Sequence, residues 1–133
     1  MSPTSRFKGE RLEPLKRSVQ ALAQPGRVQR ALFPDGVAKG DELMIDFDSA
    51  LSDARPYLEE TATPQQKEAV KHLDDYTEQI SGRHHEELWF DERTLLSDPR
   101  WEKVRALAKD VLSAFGWENT PPPMDDRIYI IGE

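Results

Sequence analysis

The stretch Asp98 to Trp117, DPRWEKVRALAKDVLSAFGW, carries a helix start, a buried face and a helix stop in one run. Asp98 is placed to be the N-cap, because its carboxylate can accept from free N–H groups of the first turn. Pro99 then takes the first helical position, where a missing N–H does no harm. Trp101, Val104, Leu107, Ala108, Val111, Leu112 and Phe115 recur at spacings of three and four and form one apolar stripe. Arg100, Glu102, Lys103, Arg105, Lys109, Asp110 and Ser113 fall on the other side. Gly116 suits the left-handed stop, after which Trp117 is expected to fold back onto Leu112. Burying each large apolar side chain contributes about 2 kcal/mol, so the stripe reads as core.

Just upstream, His84–Phe90 and Asp91–Leu96 read as two short helical pieces, with Leu88, Trp89, Phe90, Leu95 and Leu96 supplying apolar contacts. Before them, Thr63-Pro64-Gln65-Gln66 is a capping box. It opens a helix with Val70, Leu73, Thr77 and Ile80 inside, Glu68, Lys71, Asp74, Asp75 and Glu78 outside, and Gly82 near its end. Asp41–Glu60 fits two periods. As a helix it aligns Met44, Phe47, Leu51, Ala54 and Leu58. As a strand it alternates Leu43, Ile45 and Phe47 with Met44, Asp46 and Asp48. The helical pattern runs longer, so a helix from Asp41 to about Ala54 is expected, with Pro56 kinking it or opening a second segment. Arg27–Phe33 suggests a short helix before the Pro34-Asp35-Gly36 turn. Leu12, Leu15, Val19 and Leu22 mark a helix within 10–24. Pro14 sets its expected start near Leu12 or Glu13.

Downstream, Pro121-Pro122-Pro123 is stiff and extended. Ile128-Tyr129-Ile130-Ile131 is β-prone but too short to be stable alone, so it must pack on the body or pair with a strand. The resulting expectation is an all-α fold, a helical bundle of four to five helices with a short extended C-terminal tail. Its parts are a flexible N-terminus over 1–9, a helical domain over 10–117, and a Pro-rich, β-prone tail over 118–133.

The 133 residues suffice for one domain with its own core. No cysteine is present, which excludes disulfides, thiolate chemistry and Cys-ligated zinc. That suits a reducing cytoplasm. The first residues, MSPTSRFKGERLEP, contain no apolar run of the signal-peptide kind. No stretch reaches the ~20 apolar residues of a membrane span. The net charge of −7 is unevenly distributed: +5 over residues 1–40, −11 over 41–98 and −1 over 99–133. Such an acidic middle repels nucleic acid and favours a basic partner. The basic first third has neither interleaved aromatics nor a recognisable module for nucleic acid.

Three patterns bear on chemistry. Asp46-Phe47-Asp48-Ser49, following Leu43-Met44-Ile45, superficially resembles the aspartate motif of haloacid-dehalogenase-like phosphatases. The resemblance covers residues 43–49 and implies a buried strand, with the first Asp attacking phosphate beside magnesium. The chain lacks the strand–helix alternation of a doubly wound sheet. As a helix, the segment points Asp46 and Asp48 in different directions. His84-His85-Glu86-Glu87 offers ligand types only in pairs and is not H-E-x-x-H, so it reads as a surface histidine pair and no metal or cofactor is expected. The third pattern is the acids Asp74, Asp75, Glu78, Glu86, Glu87, Asp91 and Glu92, with Trp89 and Phe90 among them. Acids around an aromatic anchor suit a steered interface with a basic protein. Reversing Asp74 and Asp75 to Lys is then expected to slow association while changing stability little.

The expected function is therefore non-enzymatic: a binding protein that neutralises a basic protein partner through an acidic surface, such as an immunity protein against a bacterial toxin. That comparison is one of type, not of motif. The interface residues are Asp74, Asp75, Glu78, Glu86, Glu87, Trp89, Asp91 and Glu92, with no nucleic acid, membrane or cofactor involved. The alternatives are a helical adaptor or regulator, with or without self-association, and a small metal-dependent hydrolase.

Overall fold

A computed structural model describes residues 3–123, with side chains from Arg11 onward except that of Arg83. The Ile128–Ile131 run lies outside the described residues. The chain is an all-α bundle, and no strand occurs among the described residues. Four long helices build it: α1 (Pro3–Ala23), α3 (Lys39–Thr61), α4 (Pro64–Gln79) and α7 (Pro99–Phe115). Shorter pieces connect them: α2 (Gly26–Ala31), a 3₁₀ turn (Arg83–His85), α5 (Glu86–Phe90) and α6 (Thr94–Ser97). No helix among the described residues is long and apolar enough to cross a membrane.

The helix α7 forms as its signals dictate. Asp98 Oδ1 accepts from the Arg100 N–H at 2.9 Å, and Pro99 follows at the first position. Trp101, Val104, Ala108, Val111 and Leu112 are buried, whereas Leu107 and Phe115 are half-buried. Gly116 closes the helix at φ 69, and the Trp117 N–H donates to the Leu112 carbonyl at 2.9 Å. The Trp117 ring packs against the core cluster to which Leu112 belongs and stacks on Phe115, centroids 4.3 Å apart. Arg105 is not on a solvated face. It is half-buried and donates to Gln29 Oε1 at 2.9 Å and to the Leu95 carbonyl. Gln29 is fully buried and donates in turn to the carbonyls of Ala21 and Leu22 at the end of α1. One amide thus ties α1, α2 and α7 together and satisfies carbonyls that a helix end leaves open.

The helix α4 has its capping box. Thr63 Oγ1 accepts from the Gln66 N–H at 3.1 Å, and Gln66 Oε1 accepts from the Thr63 N–H at 2.8 Å. Val70, Leu73, Thr77 and Ile80 are buried as expected. Residues 41–54 are helical within α3. Pro14 differs from expectation, and of the two outcomes expected at Pro56 the second segment does not occur. Pro14 does not set the start of α1, which begins at Pro3, and Pro56 neither ends α3 nor opens a second segment. Each removes one backbone donor. Both rings sit on the exposed side of their helix, and Leu15 and Leu58 beyond them are held in the core.

The helix α1 packs along both α3 and α7, and α7 along α4. The fourth seam, between α3 and α4, is much the sparsest. The two are joined by the short Ala62–Thr63 link, and Lys67 Nζ donates to the Glu59 carbonyl at 3.0 Å beside it. Away from this link the pair stays open, and α5 docks against α3 at the far end.

Candidate functional site

The open α3–α4 seam is a cleft with two lobes. The lobe near the link encloses about 310 Å³ and has a floor of Leu51, Leu58 and Val70. Its charges balance: Glu59, Asp74 and Asp75 face Arg55, Lys67 and Lys71. The outer lobe is larger, about 550 Å³, and its charges do not balance. Asp41, Asp48, Asp74 and Glu78 line it against the single cation Arg55. Met44, Ile45 and Trp89 add apolar surface between these acids.

Helical spacing makes this lobe. Asp41, Met44, Ile45 and Asp48 stand at i, i+3, i+4 and i+7 and share one face of α3. Asp74, Thr77 and Glu78 repeat the first part of that spacing on α4, and Ser81 continues it past the helix end. Ile45 is 48% exposed, high for a large aliphatic side chain. Trp89 is half-buried and meets the fully buried Trp101 edge-on, centroids 6.2 Å apart. That contact holds the Trp89 ring in the lining of the lobe.

The two lobes meet at an ion pair that spans the cleft. Arg55 Nη2 donates to Asp74 Oδ2 at 3.0 Å. Arg55 is 57% exposed and Asp74 23%. The contact uses one N–H and one oxygen, so it lacks the two-point geometry of a strong guanidinium–carboxylate pair. Asp41, Asp48 and Glu78 make no ion pair with a described residue.

The eight residues read from the sequence as an interface separate in space. Asp74, Glu78 and Trp89 line the outer lobe, and Asp75 lines the inner one, where Lys71 holds it at 2.6 Å. Asp75 pushes the Lys71 ammonium up from its ordinary range. Glu86, Glu87, Asp91 and Glu92 line neither lobe. Three of these four serve the chain's own cations. Arg100 donates to Glu87 at 2.6 Å and to Asp98 at 2.8 Å, and holds both carboxyls below their ordinary range. Arg93 does the same to Asp91 from two residues away. Glu92 receives the buried Lys39 at 2.5 Å and Arg30 at 2.9 Å, which lower it together. Glu86 is exposed. Reading the sequence missed Asp41, Met44, Ile45 and Asp48 as partners of Asp74, Glu78 and Trp89. Their i, i+3, i+4, i+7 spacing was the available signal.

Helix α3 carries the Asp46–Ser49 motif, so residues 43–49 do not form the strand that the phosphatase motif follows. His84 is exposed, whereas His85 Nδ1 lies 2.8 Å from Arg100 Nη1. A guanidinium only donates, so Nδ1 accepts and the ring proton sits on Nε2. Among the described residues no three His, Asp or Glu side chains are grouped to hold a metal ion. In comparisons with known proteins, the chain matches no family model, no curated protein and no solved structure.

Proposed function

We propose that this chain is a binding protein for a basic protein partner, of the kind that an immunity protein is for a toxin enzyme, and that the outer lobe of the α3–α4 cleft forms the contact. One observation carries this reading. Asp41, Asp48 and Glu78 line the lobe together with Met44, Ile45 and Trp89 and make no ion pair with a described residue, the one cation of the lining, Arg55, being paired with Asp74. Carboxylates left with water are cheap to desolvate only if a cation replaces the water, so they select a basic partner. The fixed Trp89 ring and the exposed Ile45 supply the apolar area that holds the complex once formed.

The test is capture from lysate of the source cells on immobilised wild type and on Asp48→Lys with Glu78→Lys. A basic protein retained by the wild type and lost by the variant is the expected result. An identical set of captured proteins would exclude this lobe as the interface. Capture of acidic or neutral proteins alone would exclude a basic partner.

A second reading, self-association as a helical adaptor, is favoured by Phe90 and Leu96, exposed at 68% and 50%. Under that reading the mass in solution rises with concentration, and Phe90→Ser abolishes the rise.

A further inference from the structure

We infer that the outer lobe takes a single arginine side chain of the partner, flanked by an apolar residue, and that this arginine displaces Arg55 from Asp74. The inference rests on the proposed basic partner and specifies what enters the cleft. The volume of about 550 Å³ falls in the range of ~300–1,000 Å³ that is typical of ligand pockets. It is far too small for a folded element and large enough for one long side chain with a neighbour.

The lining specifies chemistry. Asp48 and Glu78 approach from opposite helices, with Asp74 at the inner boundary. A guanidinium presents five donors in a fixed plane and can bond carboxylates on both walls, which a compact ammonium matches less well. Met44 and Trp89 add apolar lining that suits the methylene stem of such a side chain, and the exposed Ile45 offers a surface to its apolar neighbour.

Arg55 already shows how Asp74 receives a guanidinium. It holds Asp74 through one N–H from a largely exposed position. Such a contact is weak and readily exchanged. A partner arginine arriving from the open side meets three additional carboxylates, Asp41, Asp48 and Glu78, whereas Arg55 forms its ion pair, among the described residues, with Asp74 alone. In the free protein Arg55 therefore acts as an internal competitor, and its removal strengthens binding.

The experiment is a nuclear magnetic resonance titration of the full chain with a capped Leu-Arg-Leu peptide. Its counterpart with citrulline in place of arginine keeps the shape and removes the charge. The Trp89 indole N–H signal, assigned through Trp89→Phe, reports occupancy. The arginine peptide is expected to move that signal and the citrulline peptide is not. Arg55→Ala is expected to tighten binding about two- to fivefold, the range that a half-exposed ion pair allows. Lys109→Ala, which removes an exposed cation from α7, controls for net charge and is expected to change affinity less than about 1.5-fold under Debye screening.

Equal gains from Arg55→Ala and Lys109→Ala would overturn the displacement of Arg55. So would the absence of peptide binding, or signal changes confined to surfaces away from Trp89. Agmatine binding as tightly as the peptide would overturn a protein segment as the occupant. Each of these can occur while the capture experiment still yields a basic protein at this face, so the two ideas fail separately.

Discussion

Gly40 packs against the Leu88 carbonyl so closely that a methyl group on its Cα would overlap that oxygen and come within 3.1 Å of Trp101 Cζ2. This contact seats α5 on α3 and so brings Trp89 to the cleft. In an unobstructed helix, Gly→Ala stabilises by about 1 kcal/mol. Here the obstacle is a backbone carbonyl, which cannot rotate away, and overpacking of this kind costs about 1–3 kcal/mol. Gly40→Ala is expected to be destabilised on balance, with a lower urea midpoint and a displaced Trp89 indole signal. A raised midpoint would show that α5 can shift off α3 to admit the methyl group.

Gln29 joins three helices without any contact to water. Its amide donates to two carbonyls and its oxygen accepts from Arg105 Nε and Nη2. Gln29→Ala leaves those carbonyls and a half-buried guanidinium short of partners. Each unsatisfied group costs about 1–3 kcal/mol, so a loss of about 2–4 kcal/mol is expected in chemical denaturation. A loss under about 1 kcal/mol would mean that water fills the gap.

Arg100 gathers Glu87, Asp98 and His85 around one guanidinium. It holds Glu87 and Asp98 below their ordinary values of 4.5 and 3.8. A folded-state value below the unfolded one adds stability that is complete above the unfolded value. That stability is lost as pH falls through the folded value. Stability is therefore expected to decline in acid below about pH 4. Arg100→Gln should be less stable than wild type near pH 6, and the difference should shrink as the pH falls and both carboxyls protonate. A difference independent of pH would assign the effect of Arg100 to packing.

Charge reversal separates the cleft acids. Asp74 is tied to Arg55, so Asp74→Lys sets two cations against each other and, contrary to what the sequence suggested for this residue, is expected to lower stability as well as binding. Asp48 and Glu78 have no such tie among the described residues, and reversing them should change stability by no more than about 0.5 kcal/mol each. Thermal midpoints of the three single variants check the ranking.

The sequence alone determined what depends on neighbours three or four residues away. The Asp98 cap, the Gly116 stop, the Thr63–Gln66 box and the buried stripes of α4 and α7 were all legible, because helix geometry turns spacing into a face. The all-α architecture follows from those faces. Tertiary structure decided where charge is free and where it is not. Glu92 meets Arg30 from 62 residues away and Lys39 from 53, and no local rule anticipates either partner. It also decided that α3 and α4 pack sparsely, which leaves a cleft lined by Asp48 from one helix and Glu78 from the other. Pro14 and Pro56 stay inside helices because burial of Leu15 and Leu58 outweighs the backbone bond that each proline removes. Local propensity is a property of a few consecutive residues, whereas a cleft exists only where two faces distant in the chain fail to close.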